Sequence, residues 1–553
     1  MGESPLIFYI IKLDYELLVE RERRYDMGLI YKVADQTWEF ESIHKLNYKT
    51  FVEEIPQHEE TKERFRIDRF HEENTYLICL DGENLVGMVA VRGKRPFSLD
   101  YKISNLDFYL QEHGEKVYEI RLLSVESEYR NGRALLGLIR FLHRYLLLNG
   151  YELALISATT RELPLYEQMG FKPFYTLVGT EEAAFQPMYV TPAKFEESSV
   201  GGIMTKEYTF LPGPVDIEEN VQKAFSTKPI SHRSKSFQVT MENVKKRLLQ
   251  ITKAKRVQLM LGTGTLANDA IALQLRSLKG KGLVLANGEF GNRLIEQAKR
   301  AHLNFDTYKK EMAEPFIYTE LEKIMLTGDY EWLWFVHHET STGMLNNLEE
   351  LNTLCKKYQM KLCVDCISSI GAIRINLKDV YFASGVSGKA MKSFTGLSFV
   401  FHNHIIEKNE AIPAYMDIGM YEINDSIPYS HSWNLIYALQ EALKRFEEEK
   451  TFVKIKETYA YIEQAITTMG LKLVSPKDHA AQIVLTIQLN EGQSSKEVGD
   501  ALALQGYIVH YESAYLQKNN WIQIACLNHY KERDMKRMLN CLQMCVLKSG
   551  VHI

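Results

Sequence analysis

Strand-like apolar runs alternate with amphipathic helical stretches through roughly the last two-thirds of the chain. The runs are residues 257–261, 282–286, 332–337 and 361–364, and a helical pattern separates each from the next. Parallel strands need a crossover connection, usually a helix, between them. The alternation therefore predicts an α/β fold with a mostly parallel sheet for this part of the chain.

A change in composition divides the chain in two. Apolar periodicity stops around residues 196–202, where charge, serine and glycine take over. Such a stretch is typical of a connection between domains. We predict a first domain over 1–197 and a linker over 198–206, with a second module from residue 207.

Charge and composition exclude several classes of protein. The 553 residues carry a net charge of −5, which argues against nucleic acid as a partner because phosphate binding needs a basic face. The apolar run at residues 6–11 is too short to cross a membrane or to form a signal peptide core. We expect a cytoplasmic protein that acts on small molecules. Cys363 and Cys366 have the spacing of half a zinc site but lack a second pair, which favours core cysteines and no metal.

The segment 257–273 has the order strand, glycine-threonine turn and helix. The turn consists of Gly262, Thr263, Gly264 and Thr265. Free backbone N–H groups, two hydroxyls and the positive end of a helix dipole suit a phosphate group. A tight structural connection explains the turn equally well. A nucleotide fingerprint fits less well, because Ala267 stands where its third glycine belongs.

Asp365 and Lys389 are the two residues that point most directly to a chemistry. Asp365 ends an apolar strand, and Lys389 lies 24 positions later among small residues. Pyridoxal phosphate chemistry needs a lysine that bonds to the cofactor aldehyde and an acid that holds the pyridinium proton. Lys392 is a rival lysine, but the small residues on the N-terminal side of Lys389 favour Lys389.

With these motifs, residues from about 206 to 553 resemble class V aminotransferases of fold type I, near 2-aminoethylphosphonate:pyruvate and alanine:glyoxylate transaminases. The resemblance implies a large domain over 207–460, a small C-terminal α+β domain over 461–553, and a homodimer. It implies that Phe290 stacks on the cofactor ring and that Ser426 reaches the neighbouring subunit's cofactor phosphate. The cofactor-binding residues that it implies are Thr263, Gly264, Thr265, Phe290, Thr340, Asp365, Ile367, Gly388, Lys389 and Ser426.

One position departs from the class V pattern in a way that affects the substrate. Gln523 stands where the family has an arginine that binds the substrate carboxylate, so we assign Gln523 as a substrate-binding residue. An uncharged amide cannot form the bidentate ion pair. Either Arg374 or Lys518 has taken over that role, or the substrate lacks the acid, or transamination has been lost.

The first domain carries a second pattern. A strand-like run at 118–125 leads through a basic, glycine-containing turn into a long apolar-striped helix, an arrangement that suits a pyrophosphate. A helix that simply begins with charged residues, without binding a ligand, explains this basic turn equally well. With the stretch 163–174, residues 40–195 resemble the GNAT acyltransferase fold and its acyl-homoserine-lactone-synthase branch.

The GNAT resemblance implies acetyl-CoA or another acyl-CoA as second cofactor, with Arg130 and Gly132 as its contacts. It makes Tyr166 the general acid, unless Tyr166 is only a packed aromatic, and Glu119 a base by analogy. Arg133 replaces a glycine of the pattern.

Three functions remain open from the sequence. The first is a bifunctional enzyme that joins a class V aminotransferase to an N-acyltransferase. The second is a pyridoxal phosphate enzyme of another type, such as a lyase. In the third, the first domain is a degenerate GNAT module used for binding or regulation.

Overall fold

The computed structural model describes residues 29–55, 59–110, 116–130, 133–179, 184–204 and 207–548. The chain divides into two compact units. The first is Met1–Glu207 with Ala503–Gly506, and the second is Tyr208–Leu502 with Tyr507–Ile553. In the described ranges, no helix has the length and apolar character needed to span a membrane.

The first unit is built on a seven-stranded mixed sheet. In sheet order its strands are Leu29–Val33, Thr75–Asp81, Asn84–Arg92, Val117–Val125, Leu153–Thr159, Phe185–Val190 and Lys172–Pro173. Neighbouring strands are antiparallel except for Val117–Val125 and Leu153–Thr159, which run parallel. Its helices are Thr37–Tyr48, Leu106–Leu110, Arg133–Leu148, Leu163–Gln168, Pro192–Glu197 and Gly201–Met204, and a π-helical segment, Lys49–Glu54, follows the first.

The segment 198–206, which we expected to be a linker, contains the short helix Gly201–Met204. Val200 and Met204 are buried in the core of the first unit. The Ser198 hydroxyl accepts a hydrogen bond from the Gly201 N–H at 2.9 Å, so the serine acts as a helix cap. Serine and glycine thus form a helix start here.

The second unit contains the predicted mostly parallel sheet, also of seven strands. In sheet order they are Phe305–Lys309, Lys281–Ala286, Tyr330–Val336, Lys361–Asp365, Phe382–Val386, Leu397–His402 and Arg256–Leu261. Only Leu397–His402 runs against its neighbours. Leu283 and Leu285 belong to one core cluster, and Val284 and Ala286 to another. Because successive side chains point to opposite faces, the sheet is buried on both sides. The α/β prediction is confirmed.

Helices cover this sheet and continue to the end of the described chain. They are Glu219–Phe225, Lys235–Thr252, Gly264–Leu275, Glu289–Arg300, Tyr318–Gly328, Leu348–Lys357, Ile418–Ile423, Trp433–Lys444, Glu448–Thr468, Ser495–Leu504, Ala514–Asn519 and Glu532–Lys548. Two short ladders pair His338–Glu339 with Met344–Leu345 and Tyr208–Thr209 with Tyr507–Ile508.

The C-terminal part of the second unit has its own small sheet and core. Its strands are Lys472–Leu473, Val484–Gln488 and Trp521–Ala525. The predicted boundary between residues 460 and 461 falls inside the helix Glu448–Thr468. Ile455, Tyr459, Ile462 and Ile466 of that helix all lie in one core cluster. Their helical spacing continues across the predicted boundary, so the helix is a single element of this core.

Candidate active site

Asp365 ends its strand at the carboxyl edge of the parallel sheet, where α/β proteins commonly bind ligands. One carboxylate oxygen accepts a hydrogen bond from Asn268 Nδ2 at 2.8 Å, and the other accepts one from the Ile367 N–H at 2.9 Å. Burial raises the pKa of Asp365, and the nearby Lys389 opposes this rise. The carboxylate is therefore held in a fixed orientation inside the protein.

Lys389 lies in the turn after the strand Phe382–Val386. Its Nζ donates to Ser368 Oγ at 2.7 Å, and Ser368 Oγ also accepts from Thr340 Oγ1 at 2.7 Å. Burial lowers the pKa of Lys389, with Asp365 acting in the opposite direction. Burial also lowers the pKa of Lys392, but the carboxylates near Lys392 are those of Asp216 and Glu218.

Phe290 stands close to this lysine. Its ring centroid is 5.8 Å from Lys389 Nζ, and its backbone N–H donates to the carboxylate of Glu339 at 3.2 Å. Glu339 also accepts the N–H of Gly291 at 2.9 Å, so one buried carboxylate caps the helix Glu289–Arg300 and fixes Phe290. Burial raises the pKa of Glu339.

The glycine-threonine turn forms the N-terminus of the helix Gly264–Leu275, with Thr263 as the residue before it. Thr263 and Thr265 are exposed and Gly264 is buried. A Cβ on Gly264 would lie 2.4 Å from the side chain of Ile367, so only glycine allows this close approach. Two hydroxyls and the free N–H groups of a helix start are thus available to an anion.

Gly388 is buried next to Lys389. A Cβ on Gly388 would lie 2.4 Å from Thr395 Oγ1, and a Cβ on Gly213 would lie 3.5 Å from Lys389 Cγ. Thr395 therefore leaves no room for a side chain at position 388, whereas a Cβ on Gly213 would only make an ordinary contact with the lysine side chain.

These residues fit pyridoxal phosphate. The turn at 262–265 suits its phosphate, Asp365 its ring nitrogen, Phe290 a ring face, and Lys389 its aldehyde. An orphaned polar atom also marks the site: His338 is buried, its Nδ1 contacts the Ser368 carbonyl at 3.2 Å, and its Nε2 contacts no hydrogen-bond partner in the described part of the chain.

Gln523 is held within the protein, and its assignment as a substrate-binding residue stays a prediction. The side chain is fully buried. Its Nε2 donates to the Thr340 carbonyl at 2.6 Å and to Thr486 Oγ1 at 2.8 Å, and lies 3.2 Å from the Ser341 carbonyl. Its Oε1 lies 2.8 Å from His510 Nδ1 and 3.3 Å from the Tyr515 hydroxyl. Both ends of the amide are thus used within the protein.

The Ser426 hydroxyl is also directed inward. Ser426 is fully buried, donates to Gln258 Oε1 at 2.8 Å, and accepts from the Leu259 N–H at 3.3 Å. In this chain the hydroxyl is held by these two contacts, and its expected contact with a neighbouring subunit's cofactor phosphate stays a prediction.

The first unit contains a gap between two strands beside its expected acyl-carrier residues. Val117–Val125 pairs with Leu153–Thr159 only over Val117–Glu119, and Leu122 has a positive φ of 55° next to an irregularity in the sheet. The pairing between these two strands therefore ends at Glu119, and their carboxyl ends are not paired with each other in the part of the chain that the structure describes.

The expected residues of the first unit are placed as follows. The Tyr166 ring packs edge-on against Phe171, and burial raises the pKa of Tyr166 to about 12. Arg130 donates to the Val125 carbonyl at 2.7 Å and pairs with Glu54, so its guanidinium is already engaged. Gly132 lies outside the described residues.

Glu119 anchors a loop of the first unit, and its role as a base stays a prediction by analogy. It is buried and accepts hydrogen bonds from the N–H groups of Ser98 and Leu99, at 2.7 and 3.2 Å, and from the Ser98 hydroxyl.

Cys363 and Cys366 are buried, and burial raises the pKa of both thiols. In the described ranges, no group of three or more histidine, cysteine, aspartate or glutamate residues could hold a metal ion.

The second unit has the fold type I architecture, and a mixed α/β unit precedes it in the chain. Residues 218–417 match the family model for class-V aminotransferases, and residues 46–140 match the model for the acetyltransferase (GNAT) domain. The chain therefore carries, in order, a segment that matches the GNAT domain and a segment that matches class-V aminotransferases.

Individual relatives agree with this assignment. An uncharacterized aminotransferase of Methanocaldococcus jannaschii is 26% identical over 367 residues, covering 63% of this chain and 94% of the relative. A 2-aminoethylphosphonate–pyruvate transaminase of Pseudomonas putida is 26% identical over 297 residues, covering 51% of this chain and 80% of the relative.

Solved structures share the fold. Alanine–glyoxylate aminotransferase of Nostoc sp. is 24% identical with a TM-score of 0.57, covering 62% of this chain and 95% of that one. Ureidoglycine–glyoxylate aminotransferase of Bacillus subtilis is 19% identical with a TM-score of 0.58, covering 63% of this chain and 94% of that one.

Proposed function

We propose that the second unit transfers an amino group between a small amine or amino acid and an aldehyde or keto acid, with pyridoxal phosphate as cofactor. The observation that carries the proposal is the convergence of Lys389, Asp365 and Phe290 at the carboxyl edge of the sheet. When bound, the cofactor supplies a reactive aldehyde and a ring that withdraws electrons from the amine substrate.

The protein groups have distinct roles in this proposal. Asp365 keeps a proton on the ring nitrogen, and its two hydrogen-bonded neighbours hold the carboxylate in place. Burial lowers the pKa of Lys389, so more of its amine is unprotonated near neutral pH and able to attack or to carry a proton. The hydroxyls of Ser368 and Thr340 hold that amine in position.

Absorbance of the purified protein with added pyridoxal phosphate tests this assignment. We expect a visible band from the lysine-bound cofactor, which borohydride reduction should fix on the peptide that contains Lys389. Lys389→Ala should lose the band, and the control Lys392→Ala should keep it. A band that survives Lys389→Ala and disappears in Lys392→Ala would overturn the site. Transfer of an amino group to pyruvate or glyoxylate then tests the reaction.

For the first unit we propose transfer of an acyl group from acetyl-CoA or another acyl-CoA to an amine. The family match, the gap between the two parallel strands and the neutral Tyr166 phenol support this proposal. Tyr166 would donate its proton to the leaving thiolate. Calorimetric titration with acetyl-CoA tests binding, and Tyr166→Phe should lower kcat about a hundredfold to ten-thousandfold while binding persists. A domain that binds no acyl-CoA would instead be a degenerate GNAT module.

We also propose a homodimer formed through the second unit. The support is the resemblance to the class V family. Light scattering coupled to size-exclusion chromatography should give a mass of about twice 64.0 kDa, and a monomer at all concentrations would refute the proposal.

A further inference from the structure

A cleft in the second unit carries two cations that the proposed amino transfer does not use. The cleft has a volume of about 350 Å³ and is lined by Glu289, Arg293, Ser513, Ala514, Tyr515 and Lys518. Arg293 comes from the helix Glu289–Arg300, which also carries Phe290, and Lys518 comes from the helix Ala514–Asn519.

Residues on both walls of this cleft contact residues that surround Lys389. On one wall, the Arg293 guanidinium lies 4.8 Å from the centroid of the Phe290 ring. On the other, the Tyr515 hydroxyl donates to Gln523, which in turn donates to the backbone carbonyl of Thr340. Arg293 is near enough to lower the pKa of Lys389, although less than burial does. The cleft is therefore next to the reacting amine.

The two cations are available to a ligand. The Arg293 side chain is 57% exposed, and its Nε pairs with Glu289 at 3.3 Å. Neither of its terminal nitrogens makes a hydrogen bond to a residue that the structure describes. Lys518 is exposed, and within the same described ranges its ammonium forms no ion pair.

We infer that Arg293 and Lys518 bind an anionic group of the substrate, a carboxylate or a phosphonate, at the mouth of the cofactor site. The inference rests on the proposed amino transfer. Gln523 stands where the class V pattern has an arginine, and its amide is fully engaged inside the protein. The planar fork of Arg293 matches either anion, and Lys518 adds a second positive charge.

Binding of unreactive anions to the holoenzyme tests this inference without catalysis. The probes are propionate and propylphosphonate, with propionamide as the neutral control. We expect Arg293→Gln to weaken binding of the anions about tenfold to a hundredfold, and Lys518→Gln to weaken it less. Arg300→Gln removes an exposed charge from the same helix and should change nothing. All three variants should still bind the cofactor, as judged by the presence of its absorbance band, which excludes a folding defect.

Kinetics with matched amino donors gives an independent test. We expect Arg293→Gln to raise KM for donors that carry a carboxylate or phosphonate, and to leave KM unchanged for amines of equal length without the acid. A larger change with the phosphonate series than with the carboxylate series would identify phosphonate as the preferred anion, and the reverse would identify carboxylate. The KM of the anionic donors should also rise with salt, because Arg293 is exposed.

Two results would overturn the inference. The first is equal binding of propionate and propylphosphonate by Arg293→Gln and Arg300→Gln. The second is a wild-type enzyme that uses neutral amines as well as anionic ones. Failure of all donors would count against the proposed function, while the binding titration still decides whether the cleft takes an anion.

Discussion

Replacing Gln523 by leucine tests whether this residue organises the wall of the site. The substitution keeps the approximate volume of the side chain and removes every polar atom. The Thr340 carbonyl, at 2.6 Å, then loses its donor, and His510 Nδ1, at 2.8 Å, loses its acceptor. The Tyr515 hydroxyl also loses its contact at 3.3 Å, but Tyr515 is only half-buried and water can replace that contact, so it is not counted as orphaned. Thr486 can turn its hydroxyl toward the Ser341 carbonyl at 3.5 Å, so it stays satisfied.

The magnitude follows from these two orphaned groups. A buried polar group without a partner costs about 1–3 kcal/mol, so the free energy of unfolding should fall by about 2–6 kcal/mol. The matched control is Gln464→Leu, because Gln464 is exposed on the helix Glu448–Thr468 and its side chain makes no hydrogen bond to any residue in the described ranges. That variant should change stability by less than about 0.5 kcal/mol.

Urea unfolding followed by tryptophan fluorescence measures the difference. Trp332, Trp334, Trp433 and Trp521 lie in the second unit, so four of the five tryptophans report on it. We expect a lower urea midpoint with an unchanged slope for Gln523→Leu. Equal midpoints for Gln523→Leu and Gln464→Leu would refute the reasoning and would favour the predicted substrate-binding role of Gln523.

Three further predictions concern the cofactor site. Because burial lowers the pKa of Lys389, attachment of pyridoxal phosphate to the apoprotein should become faster as pH rises, with a midpoint below the pKa of an ordinary lysine. Stopped-flow absorbance measures this rate, and a midpoint at the pKa of an ordinary lysine would contradict the prediction. Glu339→Gln removes one of the oxygens that accept the backbone N–H groups of Phe290 and Gly291, so the Phe290 ring should be held less firmly. Cofactor binding should weaken about tenfold in a dialysis assay, whereas replacing the exposed Glu296 by glutamine should have no effect. Ser426→Ala should cost about 1 kcal/mol in the urea assay and leave cofactor affinity unchanged, and a loss of affinity would support its expected role.

The sequence predicts those features that depend on short, local patterns. The strand before Asp365, the turn at Gly262–Thr265 and the small residues before Lys389 each occupy a few consecutive positions. Strand periodicity and turn chemistry act over that range, so the parallel sheet follows from them. The helix Glu448–Thr468 continues through the boundary that we predict at residue 460, and no change in composition marks that continuation in the sequence.

Features that depend on contacts between distant positions could not be predicted from such local patterns. Asn268 contacts Asp365 across 97 positions, and Glu339 accepts N–H groups of residues 48 and 49 positions before it. Asn268 follows the turn by three residues, and Glu339 directly precedes Thr340, which the resemblance marks as a cofactor-binding residue, so both lie beside positions that the sequence indicates. What was missing was the packing that brings these residues together.

The neutral Gln523 and the exposed cations of the cleft, Arg293 and Lys518, have the same physical basis: neither requires an unpaired charge to be buried in the free enzyme. A buried arginine at position 523 would lose most of its hydration, and only a paired anion would offset that cost. Gln523 avoids the cost because its amide is satisfied within the protein whether or not substrate is present. Arg293 keeps much of its hydration, so it can remain charged in the free enzyme at little cost. The same exposure weakens its attraction for an anion through screening. An enzyme built in this way exchanges tight binding of one carboxylate for tolerance of anions that differ in shape.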